Sequence, residues 1–120
     1  MGWLVDFFEE EDGSAPVESF LAGQPRGPRA KALAIVKLLE EMGPSLPFPY
    51  SSQVEGRVRE LRTQFGKDMI RILYFGDARR RFILLHGLIK RTDKLGQEDV
   101  QIAVKRMEIH NARLTRSRKK

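Results

Sequence analysis

Arg71 is the residue whose place in the sequence most strongly suggests chemistry. It lies between Ile70 and Ile72 in a run that is otherwise apolar, and burying an unpaired guanidinium would cost several kcal/mol. Because successive residues of a strand face opposite sides, the side that carries Arg71 must offer it a carboxylate or a bound polyanion. Glu60 could be that carboxylate, and both interpretations hold if Glu60 orients Arg71 toward a phosphate. An Arg71 sealed from solvent beneath packed aliphatic side chains would contradict the phosphate role and every function that depends on it.

A second set of candidate residues surrounds the end of the last apolar run. His86 closes this run, and Lys90, Arg91 and Lys94 place three cations within five residues ahead of a predicted helix. Cations beside a helix N-terminus suit a phosphodiester, because the helix dipole and the exposed N–H groups favour an anion. A lone histidine in a strand is more often a packing residue, and basic loops are common, so neither feature indicates a site on its own.

Three arginines, Arg57, Arg59 and Arg62, flank the strand candidate that contains Glu60. The period of two in a strand sends Arg57 and Arg59 to one face and Arg62 to the other. Together with Arg91 they are candidate contacts for an RNA backbone. At least one of them is expected to be an ordinary solvated charge at a sheet edge.

The candidate residues together would meet the chemical needs of RNA cleavage without a metal. Such cleavage requires a base for the 2′-hydroxyl proton, cations that hold the pentavalent phosphorane, and an acid for the 5′-oxygen. Arginine suits the second task because its planar fork binds phosphate bidentately, and lysine or histidine could transfer protons if its pKa were shifted. Arg71, His86, Lys90 and Lys94 are therefore the candidate catalytic residues, with the acid and the base left unassigned.

The charge is distributed unevenly along the chain of 120 residues. Residues 1–55 contain 4 Lys/Arg and 9 Asp/Glu, whereas residues 56–120 contain 18 and 7. A strongly basic C-terminal half predicts a bound polyanion; the alternative is a basic surface that only keeps the protein soluble.

The residue types also exclude several classes of site. The chain has no cysteine and only two histidines, which excludes disulfides, thiolate metal sites and cysteine nucleophiles and argues against a His-rich metal site. We expect neither a metal nor a cofactor. No apolar run reaches the roughly 18 residues of a membrane helix, and the N-terminal residues run into acids, unlike a secretory signal. We therefore expect a cytoplasmic protein with no membrane partner.

The apolar pattern and the turn signals predict an α+β protein with one domain over residues 1–112 and a frayed basic tail over residues 113–120. Ser14 should cap the first helix, which ends at Gly23, and residues 44–53, with three prolines, should form a loop. The sheet should be four-stranded and largely antiparallel, because short connections join its last three strands into a meander. The predicted strands are residues 3–8, Val58–Thr63, Met69–Phe75 and Phe82–Lys90, and the second and third helices are Pro28–Met42 and Gln97–Ala112.

Four segments in this order resemble the HigB-like toxins of the RelE/ParE superfamily, also described as phage-derived or addiction-module killer proteins. The resemblance covers about residues 3–110, and its strength lies in the order and spacing of the segments rather than in any one motif. The predicted last helix is also similar to the family's Glu-Ile-x-x-Ala-x-x-Arg. The four segments are Ser14–Leu21, Gly56–Arg62 (similar to Gly-Leu-aromatic-Glu-Leu-Arg), Ile70–Phe75, and Leu84–Lys94 (similar to Leu-Leu-His-Gly-Phe-x-Lys-Lys-Thr-x-Lys).

This resemblance implies a RelE-like fold, ribosome-associated cleavage of mRNA without a metal, and a helix-turn-helix antitoxin of the HigA kind encoded alongside. By position, Arg71 corresponds to the arginine thought to stabilise the transition state. Lys90, Arg91 and Lys94 fall where superfamily members place basic residues for the RNA backbone. The antitoxin is expected to lay an acidic segment across the basic face or to displace the last helix.

The lysine pair that some RelE proteins use on the strand holding Glu60 is not evident here, and the chain departs from the family pattern at two further places. Arg59 stands where an aromatic residue is common, and Lys94-Leu95-Gly96 replaces Lys-Thr-Pro before the last helix. The second change removes both the threonine cap and the proline of that helix start.

Two other functions are compatible with the same residues. Superfamily members of the ParE kind inhibit DNA gyrase and cut no RNA, so the fold alone does not decide between the targets. A non-enzymatic basic module would bind nucleic acid by charge, with steep salt dependence and little selectivity. Arg71 and the cations of residues 90–94 favour the nuclease.

Overall fold

The computed structural model describes residues 2–92 and 94–118 as three α-helices packed on a five-stranded mixed sheet. The strand order is β1-β5-β4-β3-β2; β1 runs parallel to β5 and the other neighbours are antiparallel. The elements are β1 (Leu4–Phe7), α1 (Pro16–Ala22), α2 (Arg26–Met42), a 3₁₀ turn (Gly43–Ser45), β2 (Ser51–Glu55), β3 (Val58–Phe65), β4 (Asp68–Gly76), β5 (Arg81–Lys90) and α3 (Gln97–Arg118).

Each face of the sheet has its own apolar core. The first two helices cover one face, here called the α2 face, with Ala32, Ile35 and Leu39 of α2 buried at spacings of three and four. The third helix covers the other, the α3 face. Along β4, residues 70, 72 and 74 join the first core and residues 73 and 75 join the second. The prediction of a central strand covered on both sides is therefore confirmed.

The sheet has five strands rather than the predicted four, and one of its pairings is parallel. The additional strand is β2, which begins inside the predicted loop of residues 44–53. It is a short edge strand whose one apolar residue is Val54, so neither a run nor an alternation of apolar residues marks it in the sequence. The α+β class is confirmed.

Three helix boundaries differ from the prediction. The second helix begins at Arg26, two residues before the predicted start, and the first is capped by Ala15, without a side-chain bond. Ser14, the predicted cap, instead donates to Asp12 Oδ1 at 2.7 Å. The third helix continues to Arg118, so residues 113–118 of the predicted tail are helical; Lys119 and Lys120 lie outside the described residues.

The end of α3 is fastened to the N-terminal part of the chain. Arg113 donates to the backbone oxygen of Glu9 at 2.6 Å, and its guanidinium lies 5.2 Å from the ring centre of Phe8. A cation over an aromatic ring is attracted by the negative face of that ring. These contacts explain why residues predicted to fray continue the helix.

A β-bulge in β5 decides which residues reach the α3 face. Leu73 pairs with His86 and Tyr74 with Leu84, so Leu85 is one residue more than β4 can match. Arg106 of α3 donates to the backbone oxygen of Leu85 at 2.8 Å. Beyond the bulge Leu88 belongs to the core under α3, and the even-numbered residues that follow His86 share its side of the sheet.

Candidate functional site

Six polar and charged residues gather on the α3 face, where β5 leads into the third helix. Leu73 of β4 pairs with Glu60 on one side and with His86 on the other, so a single strand separates Glu60 from His86. Arg62 of β3 pairs with Arg71 of β4. Met69 lies beside Lys90. The set, called here the polar cluster, consists of Glu60, Arg62, Arg71, His86, Lys90 and Asp99.

Arg71 is buried in this cluster, with 1% of its surface exposed. Its Nη1 lies 3.6 Å from Oε2 of Glu60, and its Nη2 donates to the backbone oxygen of Thr92 at 3.3 Å. The hypothesis of an Arg71–Glu60 pair is confirmed, and the expectation that Arg71 lies on an open face is wrong. Its contacts include a carboxylate and a carbonyl, and its catalytic role stays a prediction.

Glu60 holds two arginines and is itself held by the edge strand. Its Oε1 accepts a hydrogen bond from Ser52 Oγ at 3.3 Å and lies 3.8 Å from Nε of Arg62. Because Glu60 is 6% exposed, its charge is compensated mainly by these neighbours rather than by water. The carboxylate therefore fixes the two guanidinium groups of β3 and β4 side by side.

His86 and Lys90 are joined by the carboxylate of Asp99 in the first turn of α3. Nε2 of His86 lies 2.8 Å from Oδ1, and Nζ of Lys90 lies 3.3 Å from Oδ2. Burial acts to raise the pKa of the Asp99 carboxyl, but the hydrogen bonds and charges of His86 and Lys90 outweigh it and hold that pKa below its ordinary value. Asp99 therefore stays ionised and orients the imidazole, as carboxylates do in catalytic histidine pairs.

Gly96 makes room for this arrangement. A Cβ atom at residue 96 would lie 3.0 Å from Nζ of Lys90 and 3.2 Å from Oδ2 of Asp99. The Lys-Leu-Gly departure from the family pattern thus lets the lysine approach the start of α3 closely. A side chain at Gly96 would press on the Lys90–Asp99 contact.

Arg91 and Lys94 lie outside the cluster, on the segment between β5 and α3. The side chain of Arg91 is 78% exposed and its Nε lies 3.3 Å from Oδ1 of Asp68, and Lys94 is exposed. Asp93, part of the same motif, lies outside the described residues. The segment therefore offers its cations to solvent beside the cluster rather than within it.

The structure brings one of the three arginines around β3 to the cluster. Arg62 belongs to it, whereas Arg59 donates to Ser51 Oγ at 3.2 Å on the opposite face of the sheet. The predicted separation of Arg59 from Arg62 is confirmed. Arg57 is exposed in the turn between β2 and β3 rather than in the strand, so Arg57 and Arg59 are not gathered with Arg71.

Two features of the site were not predicted from the sequence. The sequence does not indicate the role of Asp99, because it is 13 residues from His86 and meets it only through the fold; its one local signal is its position as an acid in the first turn of α3. The second feature is a pair of exposed aromatic side chains, Phe48 and Tyr50, in the predicted loop. Their signal was their aromatic type among prolines in a turn-rich segment.

The other histidine lies at the far end of α3 in a different setting. Nε2 of His110 lies 2.9 Å from Oδ2 of Asp77, whose side chain is completely buried. Oδ1 of Asp77 accepts hydrogen bonds from the backbone N–H groups of Arg79 and Arg81 at 2.9 and 3.0 Å. This pair clamps the β4–β5 turn to the helix.

Within residues 2–92 and 94–118, no group of three or more His, Asp or Glu side chains is placed to hold a metal ion. None of the helices in that part of the chain has both the length and the apolar character to cross a membrane.

The comparison with known protein families covers most of the chain and includes the whole polar cluster. A family model described as "Phage derived protein Gp49-like (DUF891)" matches residues 19–108. No curated protein matches the chain. A match over three quarters of the sequence, spanning the sheet from β2 to β5 and the start of α3, shows the family. The chain belongs to the phage-derived Gp49-like family, whose members are RelE/HigB-like proteins associated with the toxins of toxin–antitoxin systems.

Proposed function

We propose that this protein is the toxin of a type II toxin–antitoxin system and inhibits translation in the cytoplasm by cutting ribosome-bound mRNA without a metal. The observation that carries the proposal is the polar cluster. It collects a histidine, a lysine and two arginines on one side of the sheet, beside an exposed basic segment. These are the residue types that proton transfer and stabilisation of a phosphorane require.

In the proposed reaction, His86 exchanges protons with the RNA. Asp99 holds Nε2 of His86, which leaves proton transfer to Nδ1. Nδ1 of His86 takes the proton of the 2′-hydroxyl, the 2′-oxygen attacks the phosphorus, the bond from phosphorus to the 5′-oxygen breaks, and the imidazolium returns the proton to that oxygen. The products are a 2′,3′-cyclic phosphate and a 5′-hydroxyl. Lys90 and Arg62 stabilise the charge on the non-bridging oxygens.

Arg71 enters this reaction through a change of partner. Its contact with the Thr92 carbonyl is a bond to a neutral acceptor, whereas a phosphate adds a negative charge and can be bound by two parallel N–H groups of the guanidinium. We propose that incoming RNA displaces the Thr92 carbonyl from Arg71 and replaces it with a phosphate oxygen. Glu60 keeps the guanidinium oriented during the exchange. Arg91 and Lys94, on the same segment, then contact flanking phosphates.

An antitoxin is the partner that the family implies. We propose a helix-turn-helix protein of the HigA kind, with an acidic segment that covers the polar cluster and its basic surroundings. The charge of the C-terminal half supports this choice. Titration of the purified toxin with the product of the adjacent gene tests it, and the absence of a complex would contradict it.

Expression without an antitoxin, together with matched variants, tests the nuclease proposal. Lys90→Ala should reduce cleavage of ribosome-bound mRNA by roughly 10²–10³-fold, the usual effect of removing one donor to a developing charge. Lys37→Ala removes the same charge from an exposed position on α2 and should have no effect. Primer extension on mRNA in a reconstituted translation system measures both. Arg71→Lys, which keeps the buried charge, should weaken cleavage without unfolding the protein.

The competing functions give different outcomes in the same cells. Incorporation of labelled amino acids should fall first after induction; early loss of thymidine incorporation alone would identify gyrase as the target. Equal effects of Lys90→Ala and Lys37→Ala would contradict the nuclease and indicate binding by overall charge.

A further inference from the structure

An open groove lies beside the polar cluster, at the sheet edge where β2 begins. Its volume is about 540 Å³. The groove is lined by Phe48 and Tyr50 from the segment ahead of β2, Lys31 of α2, Arg62 of β3 and Met69 of β4. Arg62 belongs to both the groove and the polar cluster, so the two are continuous. This surface is called here the aromatic groove.

The aromatic side chains of the groove are exposed and lie outside both apolar cores. Phe48 is 72% exposed and Tyr50 is 47% exposed, and neither belongs to the two cores. The backbone oxygen of Tyr50 accepts a hydrogen bond from the N–H group of Arg62 at 2.9 Å. The tyrosine is therefore anchored to β3 while its ring remains accessible. Contiguous exposed apolar groups with fixed backbones are typical of binding surfaces.

The charges around the rings favour a polyanion as the occupant. Lys31 and Arg62 line the groove, and no acidic residue is among the lining residues that the structure describes. Aromatic faces combined with cations are the means by which proteins hold single-stranded nucleic acid, because bases stack on the rings while the phosphates meet the charges. Arg62 is also the register neighbour of Arg71, so a nucleotide in the groove would adjoin one at the cluster.

We propose that the aromatic groove binds an unpaired base of single-stranded RNA, stacked against Phe48 and Tyr50, with Lys31 and Arg62 contacting the adjacent phosphates. The inference deepens the proposed function and rests on it: the bound base belongs to a nucleotide next to the one that is cut. It assigns the groove the task of positioning the RNA strand, and the polar cluster the task of cleaving it.

The test separates stacking from charge by comparing two ligands on the full chain. The probes are a labelled 2′-O-methyl oligoadenylate, which cannot be cut, and inorganic polyphosphate, which has charge but no bases. Phe48→Leu and Tyr50→Leu should each weaken oligoadenylate binding roughly five- to 150-fold, the effect of losing one stacked base, and leave polyphosphate binding unchanged. Leu4→Ala, at a 66% exposed residue of β1 on the far edge of the sheet, should change neither. Equal losses for both ligands, or none, would overturn the inference.

A spectroscopic readout gives a second, independent check. In Phe48→Trp the new indole should be quenched when oligoadenylate binds and unaffected by polyphosphate, because quenching requires contact with a base. The wild-type chain, which contains the single tryptophan Trp3, supplies the background titration. An indole that responds equally to both ligands would contradict stacking.

Failure of this inference and failure of the proposed function are distinguishable. If mRNA is not cut but Phe48→Leu still weakens oligoadenylate binding, the nuclease proposal fails and the groove stands. If mRNA is cut and both leucine variants bind oligoadenylate like the wild type, the groove inference alone fails. If those variants bind RNA normally but lose the complex with the antitoxin, the groove docks a protein and the inference is overturned.

Discussion

The two histidines of the chain form pairs of nearly the same geometry in very different surroundings. Nε2 lies 2.8 Å from an aspartate oxygen in His86–Asp99 and 2.9 Å in His110–Asp77, and both pairs join the sheet to α3. The Asp77 side chain is completely buried, whereas that of Asp99 is 19% exposed.

The difference lies in what else the carboxylate holds. Asp77 accepts two backbone N–H groups of a turn and also pairs with Arg79 and Arg81 of the same turn and the strand that follows it, so its partners hold that turn together. Asp99 instead holds Lys90, whose side chain is 35% exposed, and makes no such contacts to a turn among the bonds of the described residues. A histidine–aspartate distance alone therefore does not distinguish a pair that serves the fold from the pair at the proposed site; the burial of the carboxylate and its remaining partners do.

The largest effect should follow from His86→Gln. Glutamine can still donate a hydrogen bond to Asp99 but does not exchange protons, so mRNA cleavage should fall roughly 10²–10⁴-fold. Primer extension on ribosome-bound mRNA measures the loss. Urea unfolding should show a stability within about 1 kcal/mol of the wild type. Retained cleavage in the folded variant would contradict a role for His86 in proton transfer, and the two histidine pairs would then not differ in function.

Asp77→Ala should give the largest loss of stability. It removes the buried carboxylate that pairs with Arg79 and Arg81 and contacts His110, and it leaves the turn's backbone donors unsatisfied, which should lower the free energy of unfolding by about 3–5 kcal/mol. Asp68→Ala is the matched control. Its ion pair with Arg91 joins side chains that are 39% and 78% exposed, so the cost should stay within about 1 kcal/mol. Similar costs in the two variants would contradict a structural role for Asp77.

The substitution His110→Gln repeats the first change in the other pair. Loss of the imidazole contact with a buried carboxylate should cost about 1–3 kcal/mol of unfolding free energy. Cleavage per folded molecule should remain at the wild-type rate, since His110 lies at the opposite end of α3. A selective loss of cleavage in this variant would show that His110, rather than His86, takes part in cleavage.

The smallest effect concerns acid stability. The pKa of Asp99 is lower in the folded protein than the ordinary value of 3.8, so its stabilising contribution is present above that value and is lost as the pH falls through the folded pKa. Asp99→Asn should therefore flatten the decline of unfolding free energy below about pH 4. Urea unfolding at several acidic pH values measures the slope. An unchanged slope would show that His86 and Lys90 do not stabilise the ionised form.

The parts of the fold that were predicted from the sequence are those with strong local periodicity. The buried stripe of α2 and the apolar runs of β4 and β5 were predictable, because burial on one or both sides leaves a pattern of apolar residues in the local sequence. β2 has no such pattern, since only Val54 among its residues is apolar. The parallel pairing of β1 with β5 joins residues 4–7 to residues 81–84, and no local signal encodes that distance.

The site was predictable where burial forces a partner and unpredictable where the partner comes from a distant element. The cost of burying Arg71 pointed to Glu60, which the structure confirms. Its near-complete burial and its contact with the Thr92 carbonyl are not revealed by strand alternation. Asp99 reaches His86 only because α3 crosses the sheet and because the bulge turns His86 toward that helix.

The bulge at Leu85 reverses which residues of β5 face α3: odd-numbered residues do so before it and even-numbered residues after it. With an unbroken alternation from Ile83, His86 and Lys90 would fall on the even side together with Leu84, inside the apolar core that α1 and α2 cover. Because the bulge adds Leu85 as an unmatched residue, His86 and Lys90 lie on the side of the sheet that α3 covers. Because Arg106 donates to the surplus carbonyl, a helix residue outside the polar cluster supports the bulge that brings His86 and Lys90 to the side of Arg71.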